Sequence, residues 1–332
     1  GQRGPHRLIP SLQVAPMTQT LSDDTGMTDA SEPILQAVPS PVAAPVEEVQ
    51  PPVASPTSTD ALRRAFEVNA RLFFWPPRGA AFDAAEIAGC PATWVDRGRP
   101  GPLLLYFHGG GYVFGVPRTH RAMLAHLARR TDGPALLPGY RKAPEHAFPA
   151  AFDDALASYR AVMDHPGGVV LGGDSAGGGL ALAVLAGILA QGLRKPLGVF
   201  AFSPLTDMTY SGNSIVGNAG SDVILPAERC HEIAEMYLQG ADPADPRASP
   251  LFAEFTGAPP VWLTAADREI LLDDTRRMTA ALRAQGVEVS ETITRDLPHV
   301  WPILHSLLPE GRATLGDLAQ WIRRLSPREA GS

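Results

Sequence analysis

A serine flanked by glycines stands at a predicted strand-to-helix junction, and few folds accommodate that arrangement. The pentapeptide Gly-Asp-Ser-Ala-Gly, residues 173–177, follows an apolar run at 169–171 and precedes an apolar segment at 180–190. So sharp a turn holds its central residue in a strained backbone conformation, and the glycines on either side leave room for neighbouring backbone. The sequence therefore predicts that the hydroxyl of Ser175 is presented at the end of a β-sheet.

A second glycine-rich motif follows another predicted strand. The motif His-Gly-Gly-Gly, residues 108–111, comes directly after the apolar run at 103–107. The free backbone N–H groups of such a loop bind a negatively charged oxygen. Neither this motif nor the glycines at 177–179 fit the spacings of dinucleotide or nucleotide phosphate loops. The two motifs together predict a nucleophile and the donors that stabilise an oxyanion.

Short apolar runs alternate with longer helical patterns through most of the chain. Apolar strands separated by helices indicate a mostly parallel sheet covered on both faces, so the predicted fold class is α/β with a doubly wound sheet. In such sheets the site lies at the carboxyl ends of the strands, which is where both motifs fall. The predicted strands are 103–107, 135–137, 169–171, 199–202, 261–264 and 287–293, and the predicted helices are 119–130, 148–163, 176–191, 273–285 and 312–324.

The composition changes near residue 58. Ten of the 33 prolines lie in residues 1–58, and no helical or strand period persists there. Such a segment buries too little to offset its conformational entropy, so it is predicted to be a flexible Pro/Ala-rich leader. Residues 59–327 are predicted to form the folded domain. A helix over 61–73 and an irregular stretch with a helix over 227–238 are expected to form a cap from about 59–80 and 207–250.

Charge and cysteine content exclude several classes of function. The net charge of −7 and the pI near 5.7 argue against nucleic-acid binding, which uses a basic surface. Cys90 and Cys230 match no metal-ligand or redox spacing, so we expect reduced thiols in a cytoplasmic protein, with a disulfide as the alternative. No apolar stretch is long enough for a membrane span, and the first residues lack the features of a secretion signal. The sequence leaves a homodimer open.

A serine nucleophile needs a base to take its proton and a carboxylate to orient that base. Where the nucleophile lies on a strand-to-helix elbow, the acid and then the histidine follow it along the chain. The histidines after Ser175 are His231, in the predicted cap helix, His305, in an apolar helical stretch, and His299, in a loop directly after a predicted strand. That position predicts His299 as the base.

Two carboxylates compete for the role of the acid. Asp267 and Glu269 both lie in the loop that follows the predicted strand 261–264. Asp273 and Asp274 come at a predicted helix start, where unpaired N–H groups favour negative charge, so they are expected to cap that helix. The residues themselves leave Asp267 and Glu269 both open.

Four motifs, in order along the chain, carry a family resemblance. They are His-Gly-Gly-Gly-Tyr at 108–112, Tyr-Arg-Lys-Ala-Pro-Glu-His at 140–146, Gly-Asp-Ser-Ala-Gly-Gly at 173–178 and Ser-Pro-Leu-Thr-Asp at 203–207. From about residue 86 to residue 326 the chain resembles the hormone-sensitive-lipase-like carboxylesterases, bacterial lipase family IV. The resemblance implies an α/β-hydrolase fold with a small helical cap, hydrolysis of carboxylic esters without a cofactor or metal, and a structural role for His108.

The resemblance also ranks the two carboxylates. When the family's pattern is laid without a gap on residues 271–274, its catalytic Asp falls on Glu269, whereas from the strand side the match moves toward Asp267. Glu269 is the first choice, since either type of carboxylate orients an imidazole, and Asp267 is the second. A Glu at this position departs from the family's pattern, as does Lys142 in place of an apolar residue.

The predicted reaction is two-step acyl transfer to the serine of a small-molecule ester substrate. The oxyanion is expected to accept hydrogen bonds from the N–H groups of Gly109, Gly110 and Ala176, with Gly111 also in reach. The cap is expected to select short- to medium-chain acyl groups. The alternatives are an amidase or peptidase on the same fold and a non-enzymatic small-molecule binder. Aromatic side chains predicted to line an apolar pocket are Tyr112, Phe114, Tyr210, Tyr237 and Trp301.

Overall fold

A computed structural model describes residues 63–64 and 74–325. The chain divides into the units Gly1–Pro51 and Pro52–Ser332, and every described residue belongs to the second. The predicted leader, residues 1–58, and most of the predicted helix 61–73 lie outside the described residues. Arg63 and Arg64, which are described, are helical.

The strands of the described chain form one eight-stranded sheet in the order β1-β2-β4-β3-β5-β6-β7-β8. Strands β3 to β8 run parallel to their neighbours among themselves, whereas β2 pairs antiparallel with both β1 and β4. The strands are β1 Phe82–Ile87, β2 Cys90–Val95, β3 Leu103–Phe107, β4 Ala135–Pro138, β5 Val169–Asp174, β6 Gly198–Phe202, β7 Val261–Ala266 and β8 Val289–Thr294.

Helices connect the parallel strands, as the alternating pattern predicted. Five of them match predicted helices to within about three residues at either end. The helices of the part of the chain that is described are α1 Pro117–Thr131, α2 Ala150–Val162, α3 Ala176–Ala190, α4 Ser214–Gly217, α5 Cys230–Leu238, α6 Leu272–Ala284 and α7 Pro309–Leu325, with 3₁₀ turns at Ala227–Arg229, Pro250–Phe252 and Trp301–Leu304.

The central strand β3 shows how both faces of the sheet are covered. Its side chains alternate between the two faces, as in any strand. Leu103, Leu105 and Phe107 pack in a cluster that includes residues of α2 and α3, whereas Leu104 and Tyr106 pack in a second cluster with residues of α1 and α7. Burial on both faces explains why the strand is apolar along its whole length. The predicted α/β class with a mostly parallel, doubly wound sheet is confirmed.

The sequence did not predict the hairpin of β1 and β2. The apolar residues of β1 do not alternate regularly, and none of them is fully buried. Ala88 and Gly89, at the turn, have φ values of 50° and 82°, which is the positive-φ pair of a tight hairpin turn. This antiparallel edge therefore does not follow from the hydrophobic pattern.

The stretch from Asp207 to Pro250 contains no strand, in agreement with the break in the predicted alternation. The predicted helix 227–238 is a 3₁₀ turn at Ala227–Arg229 that continues into α5. Its role as part of a cap remains a prediction.

The two cysteines are unpaired and buried, as the sequence indicated. Burial is the main cause that raises the pKa of each thiol to about 11. Both are therefore protonated at neutral pH.

Across residues 63–64 and 74–325, no helix combines the length and the hydropathy that a membrane crossing requires.

Candidate active site

Ser175 occupies the tight turn between β5 and α3. Its φ and ψ are 52° and −124°, a strained conformation that persists only where the surroundings impose it. A Cβ at Gly173 would lie 2.1 Å from the carbonyl oxygen of Gly177, and one at Gly177 would lie 2.1 Å from that of Phe107. These contacts explain why glycine is needed on both sides of the serine. The side chain is 9% exposed.

His299 and Glu269 are bonded to each other in the loops after β8 and β7. The distance between His299 Nδ1 and Glu269 Oε2 is 2.7 Å, and both side chains are buried. The other carboxylate oxygen, Oε1, accepts the Ser203 hydroxyl at 2.8 Å and the N–H of Ala266 at 2.7 Å. A carboxylate fixed in this way holds the imidazole in the tautomer with its proton on Nδ1.

The second choice for the acid lies elsewhere in the same loop. Asp267 Oδ1 accepts the N–H of Asp296 at 2.9 Å. Of the two carboxylates that the residues alone left open, Glu269 is therefore the one that the fold brings to His299.

The environment of His299 favours its protonated form. Burial opposes a charge on the imidazole, but the charge and hydrogen bond of Glu269, with the charges of Asp222 and Asp174, outweigh it and raise the pKa of His299. Its Nε2 is buried and has no hydrogen-bond partner among residues 63–64 and 74–325, so no bond to the Ser175 hydroxyl is formed within them. The free nitrogen is the one that accepts a proton in this tautomer.

The other candidate side chains have different surroundings. His231 packs its ring edge-on against Tyr210, and His305 packs edge-on against His126. Asp273 and Asp274 lie at the start of α6, but their carboxylates accept hydrogen bonds from other segments of the chain. Asp273 Oδ2 accepts the N–H of Ser214, and Asp274 Oδ2 accepts N–H groups of the loop after β6.

The loop at 108–111 is tied to the residue before the nucleophile. The N–H of Gly109 donates to Asp174 Oδ1 at 2.9 Å. A donor that already bonds a buried carboxylate is not free for a substrate oxygen, so the prediction of Gly109 as an oxyanion donor is corrected. The N–H groups of Gly110 and Gly111 have no acceptor in the described part of the chain. Ala176 is the first residue of α3, where N–H groups lack an intrahelical partner.

Asp174 is held by further donors. Its Oδ1 also accepts the Tyr106 hydroxyl at 2.7 Å and lies 3.1 Å from His120 Nε2. Burial disfavours its charge, yet these partners, led by His120, lower the pKa of Asp174. His108 stacks on Tyr140, whose hydroxyl donates to the His108 carbonyl oxygen at 2.7 Å. Burial lowers the pKa of His108 to about 3, so this histidine is neutral.

Sequence reasoning missed two residues that support these loops. Ser203 bonds Glu269 and also accepts the N–H of Val300 at 3.3 Å, so it joins the acid to the base loop. Its place at the start of the fourth motif was the available signal. Arg63 donates to the Val113 carbonyl oxygen at 2.8 Å and to both carboxylate oxygens of Glu145 at 2.8 and 2.9 Å. No local pattern marks that arginine.

Three of the five aromatic residues predicted to line a pocket are fully buried in the core, namely Tyr112, Tyr237 and Trp301. Tyr112 and Tyr237 stack at 3.9 Å between ring centroids. The Trp301 indole instead donates to Thr314 of α7 at 3.1 Å and is fully buried. Trp301 is therefore a core residue.

Within the described residues, no group of three or more His, Cys, Asp or Glu side chains is arranged to hold a metal ion.

Comparisons with known proteins agree with this geometry. A family model described as the α/β-hydrolase fold matches residues 104–303. An acetyl-hydrolase of Streptomyces hygroscopicus is 36% identical over 245 residues, which cover 73% of this chain and 82% of that protein. An esterase of Acinetobacter venetianus is 31% identical over 271 residues, 80% of this chain and 87% of that one. The crystal structure of an esterase from the bacterial hormone-sensitive lipase family has a TM-score of 0.78 at 36% identity, covering 83% of this chain and 93% of that chain.

The sheet order and the serine elbow define an α/β-hydrolase. Within that fold, the chain belongs to the hormone-sensitive-lipase-like carboxylesterase family. The protein is a carboxylesterase, and the fold and family that the motifs predicted are confirmed.

Proposed function

We propose that this carboxylesterase hydrolyses short- to medium-chain acyl esters through an acyl-enzyme on Ser175, with His299 as base and Glu269 as acid. The observation that carries the proposal is the 2.7 Å bond between Glu269 and His299 Nδ1, which leaves Nε2 free to accept a proton. The strained elbow supports the choice of nucleophile, since strain of this kind concentrates at functional sites.

Acylation begins when His299 Nε2 takes the proton of the Ser175 hydroxyl and the oxygen attacks the ester carbonyl. The negative charge that develops on the carbonyl oxygen accepts hydrogen bonds from the N–H groups of Gly110, Gly111 and Ala176. Fixed donors of this kind stabilise the transition state because they need no reorganisation as charge develops. The positive φ values of Gly110 and Gly111, 120° and 62°, suit a loop that turns its N–H groups inward.

The tetrahedral intermediate collapses when the carbon–oxygen bond to the alcohol breaks. His299, now an imidazolium next to Glu269, gives its proton to the leaving alkoxide. Water then attacks the acyl-enzyme, losing a proton to the same nitrogen, and the acid leaves as Ser175 regains its proton. No net charge or redox equivalent is consumed.

One observation supports the preference for shorter acyl chains, which is that the Streptomyces relative is named an acetyl-hydrolase. A chain-length series of p-nitrophenyl esters from acetate to palmitate tests this preference, and a maximum at the long chains contradicts it.

Ser175→Ala tests the nucleophile, with Ser158→Ala, a buried serine of α2, as the matched control. We expect no measurable hydrolysis of p-nitrophenyl acetate by the first and near-normal hydrolysis by the second. An organophosphonate probe separates the enzyme from a non-catalytic binder, because only an activated serine is labelled. Parallel assays with anilide substrates separate an esterase from an amidase.

A further inference from the structure

The segment 214–222, which follows β6 in the predicted cap, is hydrogen-bonded to the loop that carries Glu269. The carbonyl oxygens of residues 267–270 all accept hydrogen bonds from this segment. Asn218 donates to two of them, at 3.0 and 2.7 Å, and Ser221 and Ser214 donate to the others at 3.1 and 2.6 Å. Because one stretch bonds consecutive carbonyls, the position of the acid depends on this stretch as well as on β7.

Asp222 is the last residue of this segment, and its carboxylate accepts hydrogen bonds from three backbone N–H groups. Its Oδ2 accepts the N–H of Ile270, the residue after Glu269, at 3.0 Å. Its Oδ1 accepts the N–H groups of Ile224 and Leu225, both at 2.9 Å. The side chain is half-buried. Asp222 therefore presents its negative charge from a fixed position beside the acid.

A cavity of about 220 Å³ joins Asp222 to the base. Its walls are residues 221–222 of the segment 214–222 with the next residue, Val223, residues 268–269 of the acid loop and residues 296–299 of the base loop. Asp222, Glu269 and His299 thus border one small space, which is partly open to solvent at Asp222 and buried at Glu269 and His299.

The charged groups around His299 come from every loop packed against it. Glu269 bonds it directly. Asp222, in the segment 214–222, and Asp174, at the end of β5, add negative charge nearby. Arg268 and Asp296, which also line the cavity, pair with each other at 2.7 Å. Asp222 is the carboxylate of the cavity wall that no cationic side chain within the described residues pairs.

We propose that Asp222 is a second carboxylate of the site, a positioning residue that fixes the loop of Glu269 and stabilises the charged imidazole of His299. The inference rests on the proposed function, because it needs His299 to become positively charged during the reaction. No sequence pattern indicates this role, since Asp222 lies in the irregular stretch and far along the chain from its partners.

The test compares pH profiles of kcat/KM for p-nitrophenyl acetate among four variants. Asp222→Asn removes the charge, and Asp222→Glu keeps it. Glu228→Gln removes a charge from an exposed position outside that segment. Asn218→Ala removes two hydrogen bonds to the acid loop without changing charge. Thermal unfolding confirms that each variant is folded before its profile is interpreted.

We expect Asp222→Asn to lower kcat/KM by about three- to tenfold and to displace the acid limb of the profile to lower pH. Asp222→Glu should return the limb toward that of the wild type. Asn218→Ala should lower activity at every pH, and Glu228→Gln should change nothing. The inference is wrong if the acid limb of the pH profile does not move in Asp222→Asn. It is also wrong if the limb moves equally in Asn218→Ala or Glu228→Gln. Ser175 labelling by the organophosphonate is read alongside: if the unmodified enzyme is not labelled, the proposed function itself fails.

Discussion

The carboxylate of Asp174 accepts the backbone N–H of Gly109 at 2.9 Å, so the residue before Ser175 fixes the loop that carries the proposed oxyanion donors. The approach is close: a Cβ at Gly109 would lie 2.2 Å from Asp174 Oδ2. The bond removes one donor from the site, but it sets the distance between the Ser175 elbow and the N–H groups of the next two glycines. The buried, ionised carboxylate of Asp174 therefore serves to position the loop at 108–111.

Asp174→Asn is expected to lower kcat by about ten- to a hundredfold with a smaller effect on KM, because the loop loses its charged anchor and the donors shift from the developing oxyanion. Steady-state kinetics on p-nitrophenyl acetate measure the change. The same substitution at Asp164, an exposed carboxylate paired with Arg194, is the control. Equal kinetics for the two variants would show that the anchor is unimportant.

The two candidate acids predict opposite results for amide substitution. Glu269→Gln removes the charge that faces His299 Nδ1, and we expect kcat to fall by roughly three to four orders of magnitude. Asp267→Asn keeps an oxygen that accepts the N–H of Asp296, so its kcat should stay within about threefold of the wild type. A collapse of activity in Asp267→Asn alone would exchange the two assignments.

The pH profile of the unmodified enzyme follows from His299. The imidazole acts as a base only when neutral, and its pKa is raised above the usual 6.5 because Glu269, Asp222 and Asp174 outweigh its burial. Activity is therefore lost as the pH falls through this raised pKa, and the half-maximal point of kcat/KM on the acid side should lie above 6.5. A half-maximal point below that value in the wild type would mean that burial dominates.

The parts of the molecule that could be predicted from sequence are those whose pattern is local. β5, the glycines of the elbow and α3 can be recognised together, because an apolar strand, a tight turn and an apolar helix occupy consecutive residues. His299 could be selected because the chain order in this fold leaves few histidines, and only one follows a strand in a loop.

The parts that could not be predicted depend on partners far apart in sequence. Nothing near Gly109 indicates that Asp174 will take its N–H, and nothing near Asp222 indicates Ile270. The hairpin of β1 and β2 escaped prediction for another reason, since the apolar residues of β1 do not alternate regularly and none of them is fully buried. Polar contacts between distant loops determine the working geometry of this site, and they leave no trace in composition or spacing.

The buried carboxyl group of Asp274 has consequences for stability at mildly acidic pH. Its Oδ2 accepts the N–H groups of Thr206 and Asp207, while its Oδ1 has no partner in the described part of the chain. Burial, opposed by the Thr206 N–H and reinforced by the charge of Asp207, raises the pKa of Asp274 to about 7. Because the folded-state pKa is raised, the stability that this group contributes is complete below the usual pKa of 3.8 and is lost progressively as the pH rises from there to about 7.

Asp274→Asn tests this relationship, since the amide keeps an oxygen for the two N–H groups and cannot ionise. From about pH 4 to about pH 7, we expect the free energy of unfolding of the wild type to fall relative to the variant by about 1 kcal/mol per pH unit. Urea unfolding at a series of pH values gives the two slopes. Asp242→Asn, an exposed position, should keep the slope of the wild type. If Asp274→Asn keeps it as well, Asp274 is already ionised in the folded protein across this pH range, and its neighbours stabilise that charge enough to offset its burial.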